Sequence, residues 1–153
     1  MNKIYADADA GKKNIAFGMG LFLLLGVVVG IPLTVDFMGG SMLTAAQYQT
    51  WKVIHGYGVF LAFVNFFFGY CIDGLNLTRR QKEIASWSFL VAGVVGGIGR
   101  SLLVLLSFQG GFGGYAISLI ETLCFVLGTL IFVRGLISSR PAQRIEQPSP
   151  AAS

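Results

Sequence analysis

Long, uninterrupted apolar runs decide what this chain can fold into. Four of them, at roughly 15–35, 51–71, 84–108 and 115–137, occupy most of its 153 residues. A bilayer hydrocarbon core about 30 Å thick is crossed by roughly 20 apolar residues in an α-helix. Hydrocarbon offers backbone N–H and C=O groups no partner, so only helices and closed barrels span it. The runs here are continuous and lack the period-two alternation of barrel strands. The expectation is therefore an all-α, integral membrane four-helix bundle. One domain covers 1–140, and a Pro-, Ser- and Ala-containing tail, 141–153, is expected to be disordered.

Composition agrees, since 54% of the residues are hydrophobic and only 12% are charged, too few to solvate the outside of a soluble domain. The net charge of +4 is no nucleic-acid footprint, because the cations flank the apolar runs. Lys3, Lys12 and Lys13 precede the first run. Arg79, Arg80 and Lys82 lie between the second and third, and Arg134, Arg140 and Arg144 lie at the C-terminal end. The other two connections hold only Lys52. By the positive-inside rule both termini and the middle loop are cytoplasmic, as in a multi-pass protein of a cell inner membrane. Asp7 and Asp9 interrupt the basic start, so the first run is expected to be a retained helix and not a secretory signal. Pro32 falls near the far end of that run, where a lost backbone bond costs least. Cys71 and Cys124 lie inside apolar runs and read as small hydrophobes, with no disulfide framework.

Polar side chains in hydrocarbon are expensive, and each is a candidate functional group. His55 is the only histidine, about one turn inside the second helix. Arg100 and Glu121 lie about two turns from the outer ends of the third and fourth helices. All three fall at similar depth in the outer half. Arg100 and Glu121 are expected to form an ion pair across the hairpin, and Arg100 could also hold an anionic ligand or a cofactor carboxylate. His55 reads either as an interfacial residue capped by water or a carbonyl, or as an axial metal ligand. One histidine excludes bis-histidine ligation within a single chain. Gly93 and Gly97 make a small-xxx-small face suited to helix packing, or to a flat macrocycle pressed on bare backbone. Asn65, near mid-membrane, wants an interhelical partner, and Tyr57 lies near the surface. The aromatic run Phe60 to Tyr70 covers more than one face, so part of it meets lipid. No Walker loop, dinucleotide fingerprint, HExxH or CxxC is present.

In layout and in a few residues the chain resembles the styrene oxide isomerases. These are four-helix membrane proteins of similar length that bind haem b and assemble as trimers. The likeness rests on Trp51-x-x-x-His55 opening the second helix after a polar connection. A short basic loop then leads to a glycine-bearing third helix around Gly93 to Gly99. The resemblance implies that His55 ligates haem iron and that the ferric ion acts as a Lewis acid on a lipophilic epoxide, which rearranges to a carbonyl compound. The chain departs from the pattern at Leu61, where the family has an asparagine. Its third helix lacks tyrosine and offers Ala92 and Arg100 where the family has acidic and tyrosine side chains. Arg100 then suits a haem propionate or a carbonyl substrate. With Arg100, Glu121, Asn65 and Tyr57 orienting substrate and His55, Arg100, Gly93 and Gly97 holding haem, the expected activity is an epoxide isomerase. Its partners would be membrane lipid, a lipophilic substrate and further copies of itself. Two other readings stay open: a small b-type cytochrome or haem sensor, and an accessory membrane subunit without cofactor. A transporter would need several copies.

Overall fold

The structure, a computed structural model, describes residues 9–106 and 111–138. Four helices are long and apolar enough to cross a membrane: α1 (Ala10–Phe37), α2 (Ala45–Gly74), α3 (Arg79–Leu105) and α4 (Phe112–Ser138). No strand occurs among the described residues. Each helix is longer than the apolar run that announced it. Span counting registers only the hydrocarbon layer, and helices continue into the polar interface while local caps hold them. α2 starts at Ala45 because Thr44 and Gln47 form a capping box, the threonine hydroxyl accepting from Gln47 N and the glutamine oxygen from Thr44 N. Thr78 and Gln81 do the same for α3. α4 opens at Phe112, three residues before the expected start at 115. Residues 107–110 and the tail 141–153 lie outside the described residues.

Successive helices run antiparallel. α1 lies along α2 at very close range, because a glycine sits at each crossing. A Cβ at Gly18 would come within 2.7 Å of the Ala62 carbonyl oxygen, one at Gly69 within 2.6 Å of the Gly11 carbonyl oxygen, and one at Gly58 would strike Leu25. α3 packs against all three other helices. Toward the end expected to face outward, Leu21, Leu25, Ile54, Leu61 and Ala62 form one buried cluster. Toward the opposite end a second cluster joins α2, α3 and α4. There the Phe68 and Phe89 rings stack with centroids 3.5 Å apart, and Phe132 meets Phe68 edge-on at 4.2 Å. Gly128 makes room for Phe89, whose ring lies 2.8 Å from where a Cβ would stand.

Between the clusters runs a polar seam. Asn14 Nδ2 donates to Asn65 Oδ1 and to the Ser86 carbonyl, both at 3.1 Å. Asn65 Nδ2 donates to the carbonyls of Leu61 and Phe89. Ser86 Oγ donates to Ala10 O at 2.7 Å and also contacts Asn14 Oδ1. The seam ties α1, α2 and α3 together, and Asn14, Asn65 and Ser86 are all buried. Around the girth the surface is apolar: Phe63 is 67% exposed, Leu130 64% and Leu119 61%. Cys71 and Cys124 are half-buried and free.

Two helices carry a π-helical turn, at Phe22–Val28 in α1 and at Gly93–Gly99 in α3. In α1 the Val29 N–H goes to Leu24 O and Gly26 O, skipping Leu25, its α-helical partner. In α3 the Arg100 N–H goes to Val95 O and Gly97 O, skipping Gly96. Both register shifts lie beside the polar residues singled out above, as π-turns often do at functional sites.

Candidate functional site

α2 offers polar groups on two opposite faces. His55 and Tyr57 are two residues apart, about 200° around the helix. His55 turns toward α1 and Tyr57 toward α3 and α4, so the chain does not gather all its polar residues in one pocket.

On the first face the π-turn of α1 presents the Leu25 carbonyl to His55, whose Nδ1 lies 3.1 Å away. A carbonyl only accepts, so Nδ1 carries the proton and Nε2 keeps its lone pair. Among the described residues Nε2 has no partner. The ring borders a groove of about 520 Å³ whose walls include Gly26, Gly30, Ile31, Leu33 and Phe37. A Cβ at Gly30 would stand 3.0 Å from His55 Cε1, so the bare helix there is what admits the ring. A histidine pinned through Nδ1 to a carbonyl, with a free Nε2 over an apolar groove, has the form of a metal-ligating imidazole with its orienting partner already in place. Haem needs one such ligand, because the macrocycle supplies the other four nitrogens. The residues present offer one such ligand.

On the second face four side chains meet. Glu121 is buried, 6% exposed, and both its oxygens are engaged. Tyr57 OH donates to Oε1, and Arg100 Nη2 donates to Oε2 at 2.8 Å. The expected ion pair between α3 and α4 is thus present. Arg100 Nη2 also donates to Ser118 Oγ at 3.1 Å, and the guanidinium lies 5.0 Å from the Tyr57 ring centroid, a cation–π arrangement. Gly96, beside the shifted register of α3, makes the space for the carboxylate: a Cβ there would collide with it. Charge is balanced within the cluster, and both carboxylate oxygens already accept hydrogen bonds. The group with donors to spare is Arg100, whose Nε is buried without a partner.

The other sequence candidates lie elsewhere. Asn65 belongs to the packing seam, where both its amide hydrogens are donated to carbonyls and its Oδ1 accepts from Asn14. The face of Gly93 and Gly97 is filled by protein. Phe17 and Asn65 abut Gly93, and Leu21 and Leu61 abut Gly97. Those glycines let α3 approach α1 and α2, and the glycines beside the histidine are Gly26 and Gly30 instead. That pair is itself a small-xxx-small spacing in the sequence, a signal that the more crowded glycines of α3 obscured. Ser118 carried no signal, since a serine in an apolar helix commonly bonds its own backbone, as Ser118 also does to Gly114 O at 2.9 Å. Among the described residues no group of three or more His, Cys, Asp or Glu side chains is arranged to hold a bare metal ion. No family model, curated protein or solved structure matches the chain, so its own residues carry the functional reading.

Proposed function

We propose that this chain is a haem b-binding integral membrane isomerase, with both termini cytoplasmic and His55 as the axial ligand, acting on a lipophilic epoxide that enters from the bilayer. The observation that supports it is the pinned His55 ring. Its Nδ1 proton is committed to Leu25 O, its Nε2 lone pair is free, and an apolar, glycine-lined groove adjoins it. When bound, ferric haem supplies a Lewis acid able to polarise an epoxide oxygen toward ring opening. The chain's residues do the rest. Leu25 O fixes the imidazole tautomer and the ring's orientation. Gly30 leaves room for the ring, and the mostly apolar lining disfavours water, which would otherwise divert the substrate to a diol. The groove opens on the outside of the bundle, so a second copy of the chain would complete its far wall, in keeping with an oligomer.

The test is a visible spectrum of the purified protein made with ample haem, wild type beside His55→Ala, followed by an epoxide isomerisation assay. A Soret band present in the wild type and lost in the variant, with aldehyde or ketone formed from an aryl epoxide, is the expected result. One observation favours a second reading, a small b-type cytochrome. Tyr57, Glu121 and Arg100 face away from His55, so one chain sets no acid or base beside its own ligand. Reversible reduction of the band without epoxide turnover would select that reading. Absence of any band would leave an accessory subunit.

A further inference from the structure

Beside Arg100, between the outer halves of α3 and α4, lies a second cavity of about 300 Å³. Its polar wall includes Arg100 and Ser118, and its apolar wall includes Val53, Leu103, Val104 and Ile117. It holds far more than one water, whose share of liquid volume is about 30 Å³. We infer that this cleft is a binding site for a neutral lipophilic molecule bearing a carbonyl or ether oxygen, taken up from the outer leaflet and held by an Arg100 N–H. Three observations carry it. Arg100 borders the cleft with a side chain 35% exposed, and only its Nη2 is committed, to Glu121 and Ser118, so the guanidinium keeps donors that an acceptor oxygen would engage. The cluster is already neutral, Arg100 against Glu121 with Tyr57 as donor. An anion would add an uncompensated negative charge in hydrocarbon, whereas a dipolar acceptor adds none. Lastly, the cavity's lining is otherwise mostly apolar and suits a hydrocarbon or aryl body.

The site needs neither His55 nor haem, so it stands or falls separately from the reading above. The probe is 2-acetylnaphthalene, with 2-naphthoate as its anionic counterpart, titrated calorimetrically into protein in lipid nanodiscs and corrected with empty nanodiscs. His55→Ala protein is run in parallel, and it should bind the ketone as the wild type does. Arg100→Lys keeps the charge facing Glu121 but has no Nε–H, and it should weaken ketone binding by at least about tenfold. Leu103→Trp leaves the ion pair intact and fills the cleft, and it should abolish binding, which guards against misfolding of the lysine variant. Equal affinity in wild type and both variants would mean partition into lipid alone and overturn the inference. So would tighter binding of naphthoate than of the ketone, which would make this an anion site. No binding of either probe would overturn it as well.

Discussion

At the scale of single residues the structure turns on two glycines that place side chains of opposite character. Gly30 admits the His55 ring, and Gly96 admits the Glu121 carboxylate. Alanine at Gly30 would already press the ring, its Cβ 3.0 Å from Cε1 and 3.2 Å from Nδ1, and a β-branched side chain must push it further from Leu25 O. Gly30→Val is therefore expected to weaken haem binding by about 10–100-fold, the usual effect of losing a ligand's orienting partner. Titration of the apoprotein with haem measures this. Gly96→Ala is expected to act like removal of the ion pair. Glu121→Leu leaves Arg100 charged and unpaired, and the expected loss is about 3 kcal/mol. The double variant Arg100→Leu/Glu121→Leu should recover most of it, because a packed apolar pair of similar volume replaces a buried ionic one. Unfolding in mixed micelles gives the comparison. If the double variant were as unstable as the single one, the guanidinium would matter for more than neutralising Glu121. The ion pair was legible in the sequence, since opposite charges at matched depth across a short hairpin have few other partners. A carbonyl cap was one of the two readings of His55, and Leu25 O is that cap, but which carbonyl it would be was not legible, because a local register shift leaves no mark in residue identity.

At the scale of elements the apolar runs foretold the number and kind of helices but not their ends. Hydropathy marks where lipid is, and the helices outlast it wherever a threonine caps the next turn, as Thr44 and Thr78 do. Both T-x-x-Q boxes stand in the sequence and mark the helix starts better than apolarity does. The π-turns were not legible. The turn in α3 coincides with Gly93, Gly96, Gly97 and Gly99, but the one in α1 holds a single glycine, so glycine content does not mark them both. Asn65 shows the same limit. Its identity and depth announced an interhelical partner, but not that the partners would be Asn14 and two carbonyls, which leave it no catalytic role. Asn65→Ala is accordingly expected to cost about 1–3 kcal/mol, by stranding donors and acceptors in the seam, while the haem spectrum stays unchanged. A shifted or missing Soret band in a folded Asn65→Ala protein would move this residue back among the functional ones.

At the scale of the whole molecule, charge and packing give the same account of which ends belong together. Lys13 pairs with Glu83 across the first turns of α1 and α3 and lies 4.6 Å from the Trp87 ring centroid. The pair is partly exposed, so it adds little stability. It does bring Lys12, Lys13, Arg79, Arg80 and Lys82 to one end of the bundle. Asn76, at the same end, bonds the Ser138 carbonyl where α4 finishes, one turn beyond Arg134. The opposite end, at the α1–α2 connection, has Asp36 bonded to Met42 N and a single cation, Lys52. Cations resist translocation, so the rich end should remain in the cytoplasm. Ser41→Cys and Gly74→Cys, each in a chain whose Cys71 and Cys124 have been replaced by alanine, report on this. Ser41 lies in the α1–α2 connection, and a side chain at Gly74 meets no neighbour. An impermeant maleimide should label Ser41→Cys in intact cells, and Gly74→Cys only after the membrane is opened. The reverse pattern would invert the bundle. It would put His55, Arg100 and Glu121 in the cytoplasmic half and change the leaflet from which a lipophilic ligand reaches the Arg100 cleft. Labelling of both sites from outside would mean that the helices do not span.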